Sequence, residues 1–94
     1  MAAYIVGTIT VRDEALWAKY VAGVAGTFDR YEGEVLLRAR APLALSGQAH
    51  GERVVVARFE DIAALRRWFD SAEYQGLIPL RDAAAEVVLT AHED

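Results

Sequence analysis

Four side chains of this 94-residue sequence have types and neighbours suited to holding a small anion: Arg38, Arg58, Tyr74 and Arg81. A guanidinium presents a planar fork that meets a carboxylate or phosphate in two parallel hydrogen bonds. A tyrosine adds an apolar ring that carries one hydroxyl. Arg38 and Arg58 sit in short β-branched and aliphatic runs, Glu34 to Arg40 and Arg53 to Phe59. Tyr74 and Arg81 fall in the aromatic-rich stretch Arg66 to Ala84. With Tyr4, Thr8, Leu36, Val54 and Val56 they are expected to border an apolar pocket holding a few convergent polar groups. A guanidinium cannot shed its charge, so Arg38 and Arg58 need a counter-charge: Glu73, Glu86 or a bound anion. The competing reading is structural. Arg38, Arg58 and Arg81 would pair with Glu34, Glu60, Glu86 or acids of a partner subunit, and Tyr74 would pack an interface.

Other chemistries find less support. The two histidines, His50 and His92, have no ligand partner at metal-binding spacing and read as surface residues. Neither falls on an expected strand or helix, which argues against an axial haem ligand. There is no cysteine, and Ser46 and Ser71 lie at turns with no histidine near in sequence, so Ser71 reads as a helix cap. The glycines are scattered singly, with no phosphate loop. No metal, cofactor or catalytic residue is assigned. Proton abstraction would need a general base, for which Tyr74, Tyr4 and Glu73 are the candidates, all poor.

Composition narrows the partners. The chain is 54% hydrophobic with a net charge of −4, and its ten cations are dispersed, which disfavours nucleic acid. No apolar run approaches the roughly 20 residues that span a bilayer. Met1-Ala2-Ala3 leads straight into a strand pattern, so no signal peptide is visible, and the lack of cysteine suits a reducing cytoplasm. One domain, residues 1–94, is expected. So small a domain buries only ~60–65% of its unfolded surface, so excess apolar surface points to a homodimer.

These side chains need elements to hold them. Tyr4 to Val11 alternates as a strand, with Ile5, Gly7, Ile9 and Val11 on one face. Asp13 is a helix N-cap, and Trp17, Val21, Val24, Phe28 and Tyr31 form a buried stripe flanked by Tyr20. Glu32-Gly33 ends that helix. In the second strand Val35, Leu37 and Ala39 share one face and Leu36, Arg38 and Arg40 the other. Pro42 to Gly51 is irregular, with Leu43-Ala44-Leu45 and the turn Ser46-Gly47 as a short hairpin arm. The third strand directs Phe59 to the helices and Arg58 away from them, so Arg38 and Arg58 are expected on one face, bordering one space. Asp61 caps a second helix with Ile62, Leu65, Trp68 and Phe69. Asp70 or Ser71 caps a short helical segment, and Pro79 starts another. The tryptophans read as packing. Glu86 to Ala91 is the last strand, and His92-Glu93-Asp94 is expected to fray.

The order β-α-β-β-α-β is the split βαβ arrangement, an α+β, ferredoxin-like fold with one antiparallel sheet. Its helix-free face also carries apolar residues, and a second subunit is the simplest cover. The run Trp68 to Ala84 (WFDSAEYQGLIPLRDAA), with Asp13, Trp17, Tyr20, Tyr31-Glu32-Gly33 and Arg38, resembles domain-of-unknown-function family 1330, over nearly the whole chain. The resemblance implies the dimeric α/β-barrel superfamily, in which two sheets pack together. Superfamily members include cofactor-free monooxygenases, haem enzymes and ligand-binding regulatory domains. Ala72, Ala39-Arg40 and Arg58 depart from the family, which often has Pro, a Gly pair and Glu there. The expected function is binding of a small anionic or aromatic metabolite in a pocket between sheet and helix connection. The alternatives are a cofactor-free enzyme, monooxygenase- or isomerase-like, and a purely structural dimer.

Overall fold

The computed structural model describes residues 1–94. The chain runs β1 (Ala3–Val11), α1 (Glu14–Tyr31), β2 (Glu34–Arg40), β3 (Arg53–Phe59), α2 (Ile62–Asp70), α3 (Ala72–Gln75), α4 (Ile78–Ala84) and β4 (Ala85–Glu93). The strands form one antiparallel sheet in the order β2-β3-β1-β4, the ferredoxin-like topology, and the sheet of one chain is not closed.

Local chemistry sets the helix ends. The Asp13 carboxylate accepts from the Leu16 N–H at 3.0 Å, covering one of the orphan donors at the start of α1. The same arrangement recurs at Asp61, which accepts from Ala64 at 2.8 Å to start α2. Ser71, rather than Asp70, caps α3: its Oγ accepts from the Tyr74 N–H at 3.1 Å. Helix α1 ends at Glu32, which takes the left-handed conformation at φ 61. Gly33 follows for a different reason. A Cβ there would stand 2.7 Å from Phe28 and 2.9 Å from Phe59, inside the core.

All helices pack on one face of the sheet. Ala3, Ile5 and Ile9 of β1 and Ala57 and Phe59 of β3 bury themselves against Trp17, Tyr20, Phe28, Leu65, Trp68 and Tyr74. Phe28 and Phe59 meet edge to face at 5.8 Å, and Trp68 lies 5.1 Å from Phe28 and 5.6 Å from Phe59. In α1 the buried residues are Trp17, Tyr20, Thr27 and Phe28, so the stripe is rotated toward Tyr20, while Val21, Val24 and Tyr31 are only half-buried.

Three expectations need correction. The loop 41–52 forms no hairpin arm; it carries Leu43 and Leu45 in the open and returns through Gly51, packed against the Ile9 backbone. The C-terminal residues do not fray. β4 continues to Glu93, paired with Ala3, and Asp94 donates its N–H to the Ala2 carbonyl. The main correction lies in β2. A register shift between Val35 and Leu37 makes Leu36 an extra residue, and a bulge of this kind reverses which face the following side chains take. Val35 pairs with Ala57 on the helix side, but beyond the bulge Arg38 pairs with Val55 and Arg40 with Arg53, also on the helix side. Arg38 therefore does not share a face with Arg58.

The other face has no helix over it. It presents Val6, Leu37, Val54, Val56 and Val88 among Tyr4, Thr8, Thr90, Glu34 and Arg58. Leu37 is 49% exposed and Val88 44%. No helix is long and apolar enough to cross a membrane.

Candidate functional site

The site grows from the gap between α1 and the sheet. Helix α1 presents Trp17, Tyr20, Val21, Val24 and Phe28 to the sheet, while β1, β3 and β4 answer with Ile5, Ile9, Val55, Ala57, Val87 and Leu89. Gly7 and Ala57 keep the floor low: a Cβ on Gly7 would lie 2.9 Å from Val55 and 3.0 Å from Leu89. A cavity of about 580 Å³ remains, and sixteen of its twenty lining residues are hydrophobic. That volume and lining suit a small organic molecule.

Charge gathers at the end where β2, β3 and the start of α1 converge. The charged lining residues are Glu14, Arg38, Arg40 and Arg53. Arg53 pairs with Glu14 in a short contact. Arg40 stands directly opposite Arg53 across the strands, an unfavourable like-charge placement. The ion pairs of the chain are Arg53–Glu14, Arg81–Asp82 and His50–Glu86, so Arg38, Arg40 and Arg58 have no carboxylate partner.

The expected site residues separate into three places. Arg38 borders the cavity. Arg58 is exposed on the opposite face, across from Tyr4 and Glu34. Tyr74 and Arg81 are behind the cavity wall and do not line it. Tyr74 is completely buried, with its ring 4.1 Å from Trp68. Its hydroxyl meets that of Tyr20 at 2.9 Å and accepts from Arg81 Nη1 at 3.1 Å. Arg81 also donates to Asp82 at 3.1 Å. The pocket is thus between sheet and α1, with the helix connection as its outer support.

Burial acts on these groups. Desolvation, reinforced by the neighbouring Tyr74 hydroxyl, pushes the Tyr20 hydroxyl far above the ordinary tyrosine value, so Tyr20 stays protonated. Glu73, a candidate base, is not at the cavity. It accepts from the Tyr31 hydroxyl at 2.6 Å, and that bond holds its carboxyl below the usual range. Trp68 lines the cavity and donates its indole N–H to Thr27 Oγ1 at 2.9 Å, so its packing is satisfied.

Tyr20, Arg40, Arg53 and Glu14 were not among the expected site residues. Tyr20 follows Trp17 by three positions and so shares its face, a signal present in the sequence. The arginine face depends on the bulge at Leu36, and nothing in EVLLRAR marks it. No three His, Asp or Glu side chains converge as a metal site would require. His50 meets Thr8 and His92 meets Thr90, both on the helix-free side.

The family model described as Domain of unknown function (DUF1330) matches residues 2–93. No curated protein matches the chain. A protein of unknown function from Rhodopseudomonas palustris superposes with a TM-score of 0.83 at 19% identity, covering 99% of this chain and 82% of that one. SnoaB, a cofactor-independent oxygenase from Streptomyces nogalater, superposes at 0.71 with 18% identity, covering 99% and 92%. A dimeric ferredoxin-like protein of unknown function from Jannaschia sp. superposes at 0.71 with 13% identity, covering both chains fully. At these identities the likeness establishes the fold alone.

Proposed function

This chain belongs to the DUF1330 family, domains of unknown function, and on that premise we propose that it is a homodimer whose subunits each bind a small anionic, aromatic metabolite. The observation that carries the reading is the pairing of an aromatic-lined cavity with two arginines, Arg38 and Arg40, that have no carboxylate partner. The ligand's ring lies among Trp17, Tyr20, Phe28 and Trp68, and its carboxylate meets Arg38 and Arg40. Tyr74 and Arg81 support the wall through Tyr20. Arg58, on the open sheet face, belongs to the subunit interface. The dimer covers that face, as the dimeric fold of the Jannaschia protein suggests. The absence of cysteine suits the reducing cytoplasm, where we place the protein.

A second reading, a cofactor-free enzyme, is favoured by the shared fold of SnoaB. Against it, the only carboxylate at the cavity is Glu14, held by Arg53, which leaves no free base there. Turnover that vanishes in Glu14→Gln, with the fold intact in thermal melts, would favour the enzyme.

Calorimetric titration with biphenyl-4-carboxylate tests the binding reading. Wild type should bind, and Arg38→Met with Arg40→Met should weaken binding about tenfold, the scale of hydrogen bonds to a charged group. Equal affinity in the double variant, or no binding to wild type, would overturn it.

A further inference from the structure

Burial favours one hydrogen-bond direction in the Arg81–Tyr74–Tyr20 chain, because Tyr74 is fully shielded whereas Tyr20 borders the cavity. A guanidinium only donates, so Arg81 Nη1 donates to the Tyr74 oxygen. The Tyr74 hydroxyl has two partners, Arg81 and Tyr20. Its own proton cannot go to Arg81, and the side chain is fully shielded from solvent. The Tyr20 oxygen is the acceptor that remains, and leaving a buried donor unmade would be costly. Tyr74 therefore donates to Tyr20. The consequence falls on Tyr20: its oxygen is occupied as an acceptor, its proton is held, and the protein supplies no second partner for that proton. Tyr20 lines the cavity.

We propose that Tyr20 is the cavity's hydrogen-bond donor, and that the ligand carries a neutral acceptor oxygen, such as a ketone or quinone carbonyl, besides its anionic group. This rests on the cavity reading above and deepens it. The two polar ends of the cavity then have different tasks. Arg38 and Arg40 take the negative charge. Tyr20 takes a carbonyl within the apolar part. The charged donor Arg81 and the intervening Tyr74 polarise the Tyr20 hydroxyl in a setting of low dielectric, which strengthens the bond it offers. A buried donor also discriminates, because a ligand without the acceptor leaves it unpaired.

Isothermal titration of wild type and Tyr20→Phe with biphenyl-4-carboxylate and with 3- and 4-benzoylbenzoate tests this. The benzoylbenzoates add a ketone to the same anionic, two-ring frame. Wild type should prefer one of them over biphenyl-4-carboxylate by about three- to tenfold, the range of a single neutral hydrogen bond. Tyr20→Phe, with thermal melts confirming a fold, should lose that preference, binding the benzoylbenzoates no more tightly than it binds biphenyl-4-carboxylate. If wild type shows no ketone preference, or if the preference survives in Tyr20→Phe, the Tyr20 proposal is overturned while the cavity reading stands. If none of the three binds, both are overturned. A ketone preference lost in Tyr20→Phe but indifferent to Arg38→Met and Arg40→Met supports Tyr20 and overturns the anion site.

Discussion

Tyr20 and Tyr74, 54 positions apart in the chain, meet hydroxyl to hydroxyl at 2.9 Å inside the core, with Arg81 donating from behind. Removing the Tyr74 hydroxyl deprives Arg81 of an acceptor and Tyr20 of a donor. Tyr74→Phe should therefore destabilise the fold by about 1–3 kcal/mol in urea unfolding. A change below about 0.5 kcal/mol would mean that neither partner depends on it. Tyr20 adds a dependence on alkali. Its folded value is raised above the unfolded one, near 10, so its contribution is complete below that pH and is lost as pH rises further.

Two glycines should respond to alanine with opposite signs. At Gly33 the new methyl collides with the Phe28 and Phe59 rings, which are locked in the core, so Gly33→Ala should cost about 1–3 kcal/mol. At Gly26, exposed within α1, a Cβ has nothing within 4 Å, so Gly26→Ala should stabilise by about 0.5–1 kcal/mol through helix propensity. Parallel denaturant melts of the two variants check both; the same sign for both would contradict this packing.

The Tyr31–Glu73 hydrogen bond should make stability depend on acid. Glu73 has a depressed carboxyl value in the folded state, so between the folded and unfolded values the unfolded chain binds more protons. Its contribution is complete above about 4.3 and disappears as pH falls through the folded value. The stability gap between wild type and Tyr31→Phe should be open at pH 7 and close in strong acid. A gap unchanged across that range would show that the bond is not made in solution.

The open sheet face should join two copies. Val56 stands opposite Val6 at its centre, with Leu37 on the other side. Sedimentation at micromolar concentration should give twice 10.3 kDa for wild type and 10.3 kDa for Val56→Lys, with the helix signal intact in circular dichroism. Wild type sedimenting at 10.3 kDa alone would defeat the dimer.

Much of the fold was legible in the chain because its local rules agree. Asp13 and Asp61 are caps that act within their own first turn, alternation in Tyr4 to Val11 separates Ile5 and Ile9 from Tyr4 and Thr8, and Trp17, Phe28, Leu65 and Trp68 recur at helical spacing. The run from Trp68 to Ala84 carried most of the resemblance to the family whose model matches residues 2–93, and the element order identified the topology. Tertiary structure alone decided the site. Strand alternation has a period of two, so one unmarked extra residue at Leu36 carried Arg38 and Arg40 across to the helix side and parted them from Arg58. Tyr74 became a buried support rather than a wall because the short turn of α3 folds it beneath Trp68 and onto Tyr20. Neither outcome is visible in residue order, since a bulge is set by how two strands pair and a hydrogen bond across 54 residues by how two helices meet.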